Sequence, residues 1–448
     1  MKLRLLLLSF SLLLFSCEGK RKATNSLPSD PLKKDGLYHI RTTSRISGDP
    51  YGNFVFDEQG NIYIASFEKK EGSKDRILIA KISPLGKLLW EKGQQTTGRA
   101  QAITINSEGK LWVCGFFEGR LQWEDKSVES KGNAMFWARL DQDGNTEYLE
   151  RPEGNIMGSH LQTNSAGEIL MVATVGRTAG LGGMKVDFEE GEHALILMDK
   201  TGKTKWIKAL KGQVKRVISD TNNNFWLGGD FKGEFYFEQD SFIIENRFDR
   251  DAFLTRIGKD TIWSKQMGHK GIRRLGYSPY EGVSDLAIGP NGKVLALITI
   301  DDPNTQNRMG DRFLSDVGLY SLSDKGQIRL EEVITSGLVK GQVFRMTMAP
   351  NGQLWISGSG IEKFTLIGDS LDRPGNQAFL ISLDQDRRSS RKILPSHGPN
   401  TLIRDLKSFK NQIYASGHYT SYLKISNDSI ENNGTHALFF YRKYLPTF

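Results

Sequence analysis

Apolar residues in this chain come in short runs closed off by Gly, Asn and Asp. Runs of this kind, bounded by turn formers, predict strands, and the tight links predict hairpins. One pattern is a turn followed by a short apolar strand. It occurs as "DEQGNIYIAS" from Asp57, "NSEGKLWVCG" from Asn106, "NSAGEILMVA" from Asn164 and "DTNNNFWLGG" from Asp220. It returns as "GPNGKVLALI" from Gly289, "APNGQLWISG" from Ala349 and "SFKNQIYASG" from Ser408. With Gly60, Gly109, Gly167, Asn223, Gly292, Gly352 and Asn411 as equivalent turn positions, the intervals are 49, 58, 56, 69, 60 and 59 residues.

A second pattern interleaves with the first: a polar residue, an apolar strand, a turn and usually another strand. Its copies begin at Asp75, Asn133, His193, Asp251, Asp316, Asn376 and His436. Two hairpins per repeat make a four-stranded unit, and a unit of this length that cannot cover both its own faces predicts a propeller blade. The expected fold is therefore all-β: a seven-bladed β-propeller of four-stranded antiparallel blades over about residues 36–448. The last copy ends with little room for a fourth strand. The segment "GLYHIRTTSRI" from Gly36 stands where one is missing, so the N-terminal strand is expected to complete the last blade.

Composition agrees with this pattern. The 448 residues include 47 glycines and are 10% aromatic, which favours a turn-rich β protein. There are 60 basic and 52 acidic residues, a mild excess for this length, and no basic stripe of the kind nucleic acid needs. Only two cysteines occur, Cys17 and Cys114. Cys114 lies in the apolar run "LWVCGFF" and reads as a buried, inert small hydrophobe.

The start, "MKLRLLLLSFSLLLFSC", has a basic n-region followed by an apolar stretch of signal-peptide length. Its end, Leu14-Phe15-Ser16-Cys17, resembles a bacterial lipobox, with Phe15 where a small residue is usual. That resemblance implies a signal peptide over 1–16, lipid on Cys17, and a polar tether over 17–35. Glu18 in place of Asp implies the outer membrane, so the expected address is the cell envelope, with the membrane as a partner through Cys17.

The stretches "DAFLTRIGKDTIWSKQMG" from Asp251 and "DRILIAKISPLGKLLWEKG" from Asp75 resemble the bacterial β-propeller repeats known as SBBP repeats. The resemblance covers nearly the whole mature chain and is looser in the third, fifth and last copies. It implies a propeller and an exported protein, and it implies no reaction. A fainter resemblance is to outer-membrane assembly lipoproteins with a quinone-repeat propeller, whose repeats are shorter.

Candidate chemistry falls in two places. Counting seven residues back from each equivalent turn gives Asn53, Ala102, His160, Arg216, Asp285, Arg345 and Arg404. These positions predict a channel rim in which His160, Arg216, Arg345 and Arg404 outnumber Asp285, suited to anions. The bland alternative is that strand starts are polar because they meet solvent. The link "QMGHKGIRRLGYSPYEG" sets His269, Lys270, Arg273 and Arg274 beside Tyr277 and Tyr280, a mixture that suits a glycan or an anionic partner. The long links between second and third strands, such as Val175 to Glu192 and Asp230 to Arg250, read as irregular loops able to bind.

Several motifs fall short. "DQDGN" from Asp141 opens like a calcium loop, but Pro152 stands where the distal Glu belongs, so it reads as a hairpin turn. Thr201-Gly202-Lys203 lacks the Walker glycine spacing. The segment "HALILMDKTGKTKWIKAL" around it is one repeat of seven, so no cofactor and no metal are expected. The leading functional expectation is a non-enzymatic lipoprotein propeller that binds or scaffolds a protein, a glycan or an envelope component. One alternative is a polysaccharide lyase or hydrolase with an axial site, using His160, His269 or Glu281. Another is an outer-membrane assembly scaffold.

Overall fold

The computed structural model describes residues 36–39, 54–68, 75–245, 249–268, 281–300, 308–309, 312–339, 344–384, 401–419, 422–425, 428–431 and 437–445. The signal, Cys17, the tether, Asn53 and the His269–Tyr280 cluster lie outside these residues. The described part is all-β, and its strands pair antiparallel.

The strands follow one another as meanders. In the third, Glu153–Thr163, Ile169–Leu181, Glu192–Met198 and Thr204–Lys211 pair in that order. The fourth repeats this with Gln213–Ser219, Phe225–Lys232, Arg250–Ile257 and Ile262–Met267. Leu88–Ile105 belongs to two meanders. Its first part pairs with Arg76–Ile82 and its second part with Leu111–Trp123. The last meander runs Leu402–Phe409, Gln412–Tyr419 and Ala437–Tyr444. Its outer strand is Gly36–His39 from the other end of the chain, with Leu37 opposite Tyr441.

Turn chemistry explains why the pattern repeats. A residue accepts a hydrogen bond at its own carbonyl from the amide three residues on, and gives its amide to the carbonyl four residues on. Asp or Asn at that first position adds a side-chain acceptor. Asp57 takes the amides of Gln59 and Asn61, Asp141 those of Asp143 and Asn145, and Asp220 those of Asn222 and Asn224. The fourth position needs positive φ, which Gly60, Gly109 and Gly144 supply and Asn223 tolerates. "DQDGN" is one of these turns, as its sequence suggests.

The core lies between meanders. Period-two alternation sends neighbouring residues to opposite faces. Leu111 and Val113 join Tyr63, Ala65, Ile77 and Ile79 of the first meander, while Trp112 and Cys114 join Ile169, Met171 and Ile196 of the third. The same sharing links the two chain ends, where Phe54, Ile62 and Leu78 pack with Tyr414 and Phe440. Cys114 is fully buried, and burial pushes its thiol well above the ordinary range, which agrees with an inert packing role.

A second interlock uses cations. Lys81 Nζ donates to the Gln142 carbonyl at 3.2 Å, and Arg139 Nη1 donates to the Thr201 carbonyl at 3.2 Å. Each reaches from a third strand to the outer turn of the next meander. Arg442 Nη1 makes the equivalent bond to the Pro84 carbonyl at 2.6 Å, from the last meander to the first.

The links between second and third strands differ from the irregular loops expected. Leu111–Trp123 and Lys126–Leu140 form one long hairpin, and Glu234–Phe237 pairs with Asp240–Ile243. Glu234–Phe237 also pairs with Thr204–Lys211, and Leu354–Leu366 pairs with Ile328–Val339. In both cases the hairpin covers the outer strand of the preceding meander, whose backbone groups would otherwise be an open edge. Edge cover accounts for the length of these two, whereas the link from Val175 to Glu192 folds back on its own meander and lines a cavity of about 800 Å³.

Candidate functional site

The first strand of each meander packs against the first strand of the next. The contacts run from Phe54–Phe56 through Leu88–Ile105, Glu153–Thr163, Gln213–Ser219, Gly282–Ile288 and Arg345–Met348 to Leu402–Phe409. The last of these returns to the first, because Lys407 Nζ donates to the Phe54 carbonyl and Phe56 stacks on Phe409 at 4.9 Å.

Most of these inner strands carry a bulge. The register shifts between Ala100 and Ala102, Val214 and Arg216, Val283 and Asp285, and Ile403 and Asp405. The residue after the bulge is the equivalent position: Ala102, Arg216, Asp285 and Asp405, with His160 and Arg345 at the same level opposite Val172 and Ser357. The count from the sequence is therefore right for His160, Arg216, Asp285 and Arg345 and one residue off for Arg404. The last inner hairpin is shorter, with Phe409 directly opposite Gln412 around two turn residues, so Asp405 takes the place expected for Arg404. An Asp exchanged for an Arg changes the sign of the site at that point.

These residues form a buried charge cluster, so solvent exposure is not the reason they are polar. Arg216 Nε lies 2.7 Å from Asp285 Oδ1, and Arg216 Nη2 lies 3.6 Å from Asp405 Oδ1. The Asp285 side chain is 0% exposed and Asp405 3%, against 15% for Arg216. Asp285 also accepts the amides of Leu286 and Met346. Arg345 is committed to main chain: Nε to the Arg404 carbonyl at 2.9 Å, and Nη1 to the carbonyls of Ser284 and Phe344. Lys407 Nζ lies 3.7 Å from Asp405 Oδ2. Burial pushes the Asp285 carboxyl up, against the pull of Arg216 and Arg345, and pushes Lys407 and Arg345 down.

His160 is held at both ring nitrogens. Nε2 donates to the Lys215 carbonyl at 3.0 Å, so in the neutral ring Nδ1 is an acceptor, 2.9 Å from Ser159 Oγ, whose single hydrogen it shares with the Val172 carbonyl at 3.1 Å. Burial first, and then the Arg216 charge, lower its pKa to about 4. It is therefore uncharged near neutrality.

A cavity of about 410 Å³ adjoins the cluster on the side of the inner hairpin turns. His160, Arg216 and Lys407 line it, with Thr104, Gln162 and Thr163 on its wall and Phe56 and Phe409 toward the turns. Neither Asp285 nor Asp405 lines it. The Thr104 and Thr163 hydroxyls are 2.9 Å apart, and Gln162 Nε2 donates to the Thr163 carbonyl. Sequence reading missed Lys407, Asp405, Thr104, Gln162, Phe56 and Phe409. The shortened turn "SFKNQIY" was the signal for Asp405, while Phe56, Thr104, Gln162 and Lys407 lie two or three residues beyond the counted level and Phe409 five. Among the described residues, no group of three or more His, Cys, Asp or Glu side chains is placed to hold a metal ion.

No family model matches the chain, and no curated protein matches it. Solved structures with loose similarity include a protein of unknown function from Bacteroides caccae, with 10% identity, a TM-score of 0.35, and coverage of 74% of this chain and 93% of that one. An ulvan lyase matches with 9% identity and a TM-score of 0.40, over 68% of this chain and 75% of that one. The α-L-arabinanase of Penicillium chrysogenum matches with 7% identity and a TM-score of 0.40, over 89% and 96%. Identity this low says nothing about chemistry.

Proposed function

We propose that the chain is a seven-bladed β-propeller, tethered at the cell envelope by lipid on Cys17, and that it works as a non-enzymatic binding module. The meanders are its blades, and the inner cavity is the turn-side end of its axis. Support for the ring comes from the unbroken succession of inner-strand contacts and from the bonds of Arg442 and Lys407 across the chain ends. Support for the tether is the lipobox-like start of the sequence. Among the described residues, no helix is long and apolar enough to cross a membrane.

The observation that carries the binding reading is the cavity itself. It is of ligand size, its wall is mixed polar and aromatic, and its charged groups are held by the cluster behind them. Groups held this way suit recognition. Arg345 spends its donors on main-chain carbonyls, and His160 is too weak a base near neutrality to take a substrate proton efficiently.

The test is a thermal-shift screen of envelope-derived small molecules on the mature chain and on Thr104→Trp, which fills the cavity. Compounds that stabilise the parent and not the variant support the reading. Compounds that stabilise both equally, or turnover of a polysaccharide by the parent, contradict it.

A further inference from the structure

The cavity is charged on one side only. The cluster holds three cations, Arg216, Arg345 and Lys407, against two carboxylates, Asp285 and Asp405. Both carboxylates sit behind the cavity wall, almost without exposure. Arg216 and Lys407 are 15% and 26% exposed, and both face the cavity. A cationic surplus in a partly desolvated site favours an anion far more than it would in open water.

The rest of the wall narrows the class. Lys407 is two residues beyond Asp405 along its strand, which puts it roughly 7 Å nearer the turns. Its Nζ reaches back to within 3.7 Å of Asp405 Oδ2, while Arg216 Nη2 lies 3.6 Å from Asp405 Oδ1, so Arg216 and Lys407 flank one carboxylate and present neighbouring cations. Thr104 and Thr163 share one hydrogen between them, which leaves a second hydroxyl hydrogen to give away. The stacked rings of Phe56 and Phe409 offer an apolar face toward the turns. A bare inorganic anion would use the cations and leave the hydroxyls and rings idle. A carboxylate on a hydroxylated ring would use all three.

Resting on the reading of this cavity as the ligand site, we infer that its ligand is a sugar acid. Its carboxylate meets Arg216 and Lys407, and its ring lies among Thr104, Gln162 and the two phenylalanines.

The experiment is calorimetric titration of the full mature chain with D-galacturonate, D-galactose and inorganic phosphate. The expected result is D-galacturonate binding at least tenfold tighter than either of the others. Lys407→Met should lose at least tenfold in that affinity, as expected when a charged hydrogen-bonding group is removed. Thr104→Val, a milder change, should lose a few-fold and guards against a Lys407 variant that does not fold. Equal binding of D-galactose, or tighter binding of phosphate, overturns the sugar-acid assignment. If D-galacturonate does not bind but screened compounds are still lost on Thr104→Trp, the assignment fails while the cavity reading stands. If no compound depends on the cavity, both fail.

Discussion

Arg216 and Asp405, from the fourth meander and the last, meet 3.6 Å apart at the inner strands, with Arg216 already 2.7 Å from Asp285. One guanidinium thus ties two buried carboxylates from different parts of the chain. The pair is a structural lock first, and it sets the charge of the cavity as a consequence.

The pH dependence of stability should carry a signature of His160. Its folded pKa is about 4 against an ordinary 6.5, so between those values the unfolded chain binds a proton that the folded chain refuses. Stability is then complete above pH 6.5 and falls as pH drops toward 4, by about 3 kcal/mol at most. The groups facing the ring are Arg216, Arg345, His193, the Ser159 hydroxyl and the Lys215 carbonyl. Urea unfolding of the parent and of His160→Gln should differ in slope across that window, and parallel curves would contradict the assignment. Asp285 titrates in both proteins and cancels in the difference.

The outer turns should be sensitive to side chains where they meet the neighbouring meander. A Cβ on Gly202 would come 2.1 Å from the Trp112 ring, while one on Gly183 would meet nothing within 4 Å. Both glycines have positive φ, 89° and 81°. Gly183→Ala should therefore cost only the backbone penalty of about 1–2 kcal/mol. Gly202→Ala should cost clearly more, because Trp112 is fully buried and stacked on Trp137. Equal midpoints in thermal unfolding would count against this interlock.

Asp220 accepts the amides of Asn222 and Asn224, the Asn224 side-chain amide, and Trp226 Nε1 at 2.8 Å. Burial works against its charge, but these donors win and hold its pKa below the usual carboxylate range. Asp220→Ala should cost about 2–3 kcal/mol by leaving buried donors unmet. Asp220→Asn keeps one acceptor oxygen and should cost less. The stability that Asp220 adds is present above the ordinary carboxylate pKa and lost as pH falls through its lowered one. Equal unfolding free energies for the two variants would show that these bonds contribute little.

The repeat was legible because turn chemistry and strand alternation are local. Asp57, Asn106 and Asp220 announce their turns, and Trp112 and Trp226 announce strands. The level of the inner residues was legible wherever the hairpin kept its usual length, as for His160, Arg216 and Asp285. It failed at Arg404, because the two-residue turn before Gln412 shifts the register by one and brings Asp405 inward. Two of the long links, those holding Glu234–Phe237 and Leu354–Leu366, were misread because they form hairpins that cover a neighbouring edge, and such pairing is non-local. The cavity was legible only in His160 and Arg216. Phe56, Thr104, Gln162 and Lys407 come from four meanders, and nothing in their local sequence marks that they meet.

The most direct measurement is a double-mutant cycle on the lock. Arg216→Met, Asp285→Asn and the double variant would be compared by urea unfolding at neutral pH. Arg216→Met alone should cost about 3 kcal/mol or more, because two buried carboxylates lose their shared cation. The double variant should recover part of that loss, with a coupling of about 2 kcal/mol between the sites. Effects that add to within about 0.5 kcal/mol would mean that the two residues do not form the buried pair on which the cavity's charge depends.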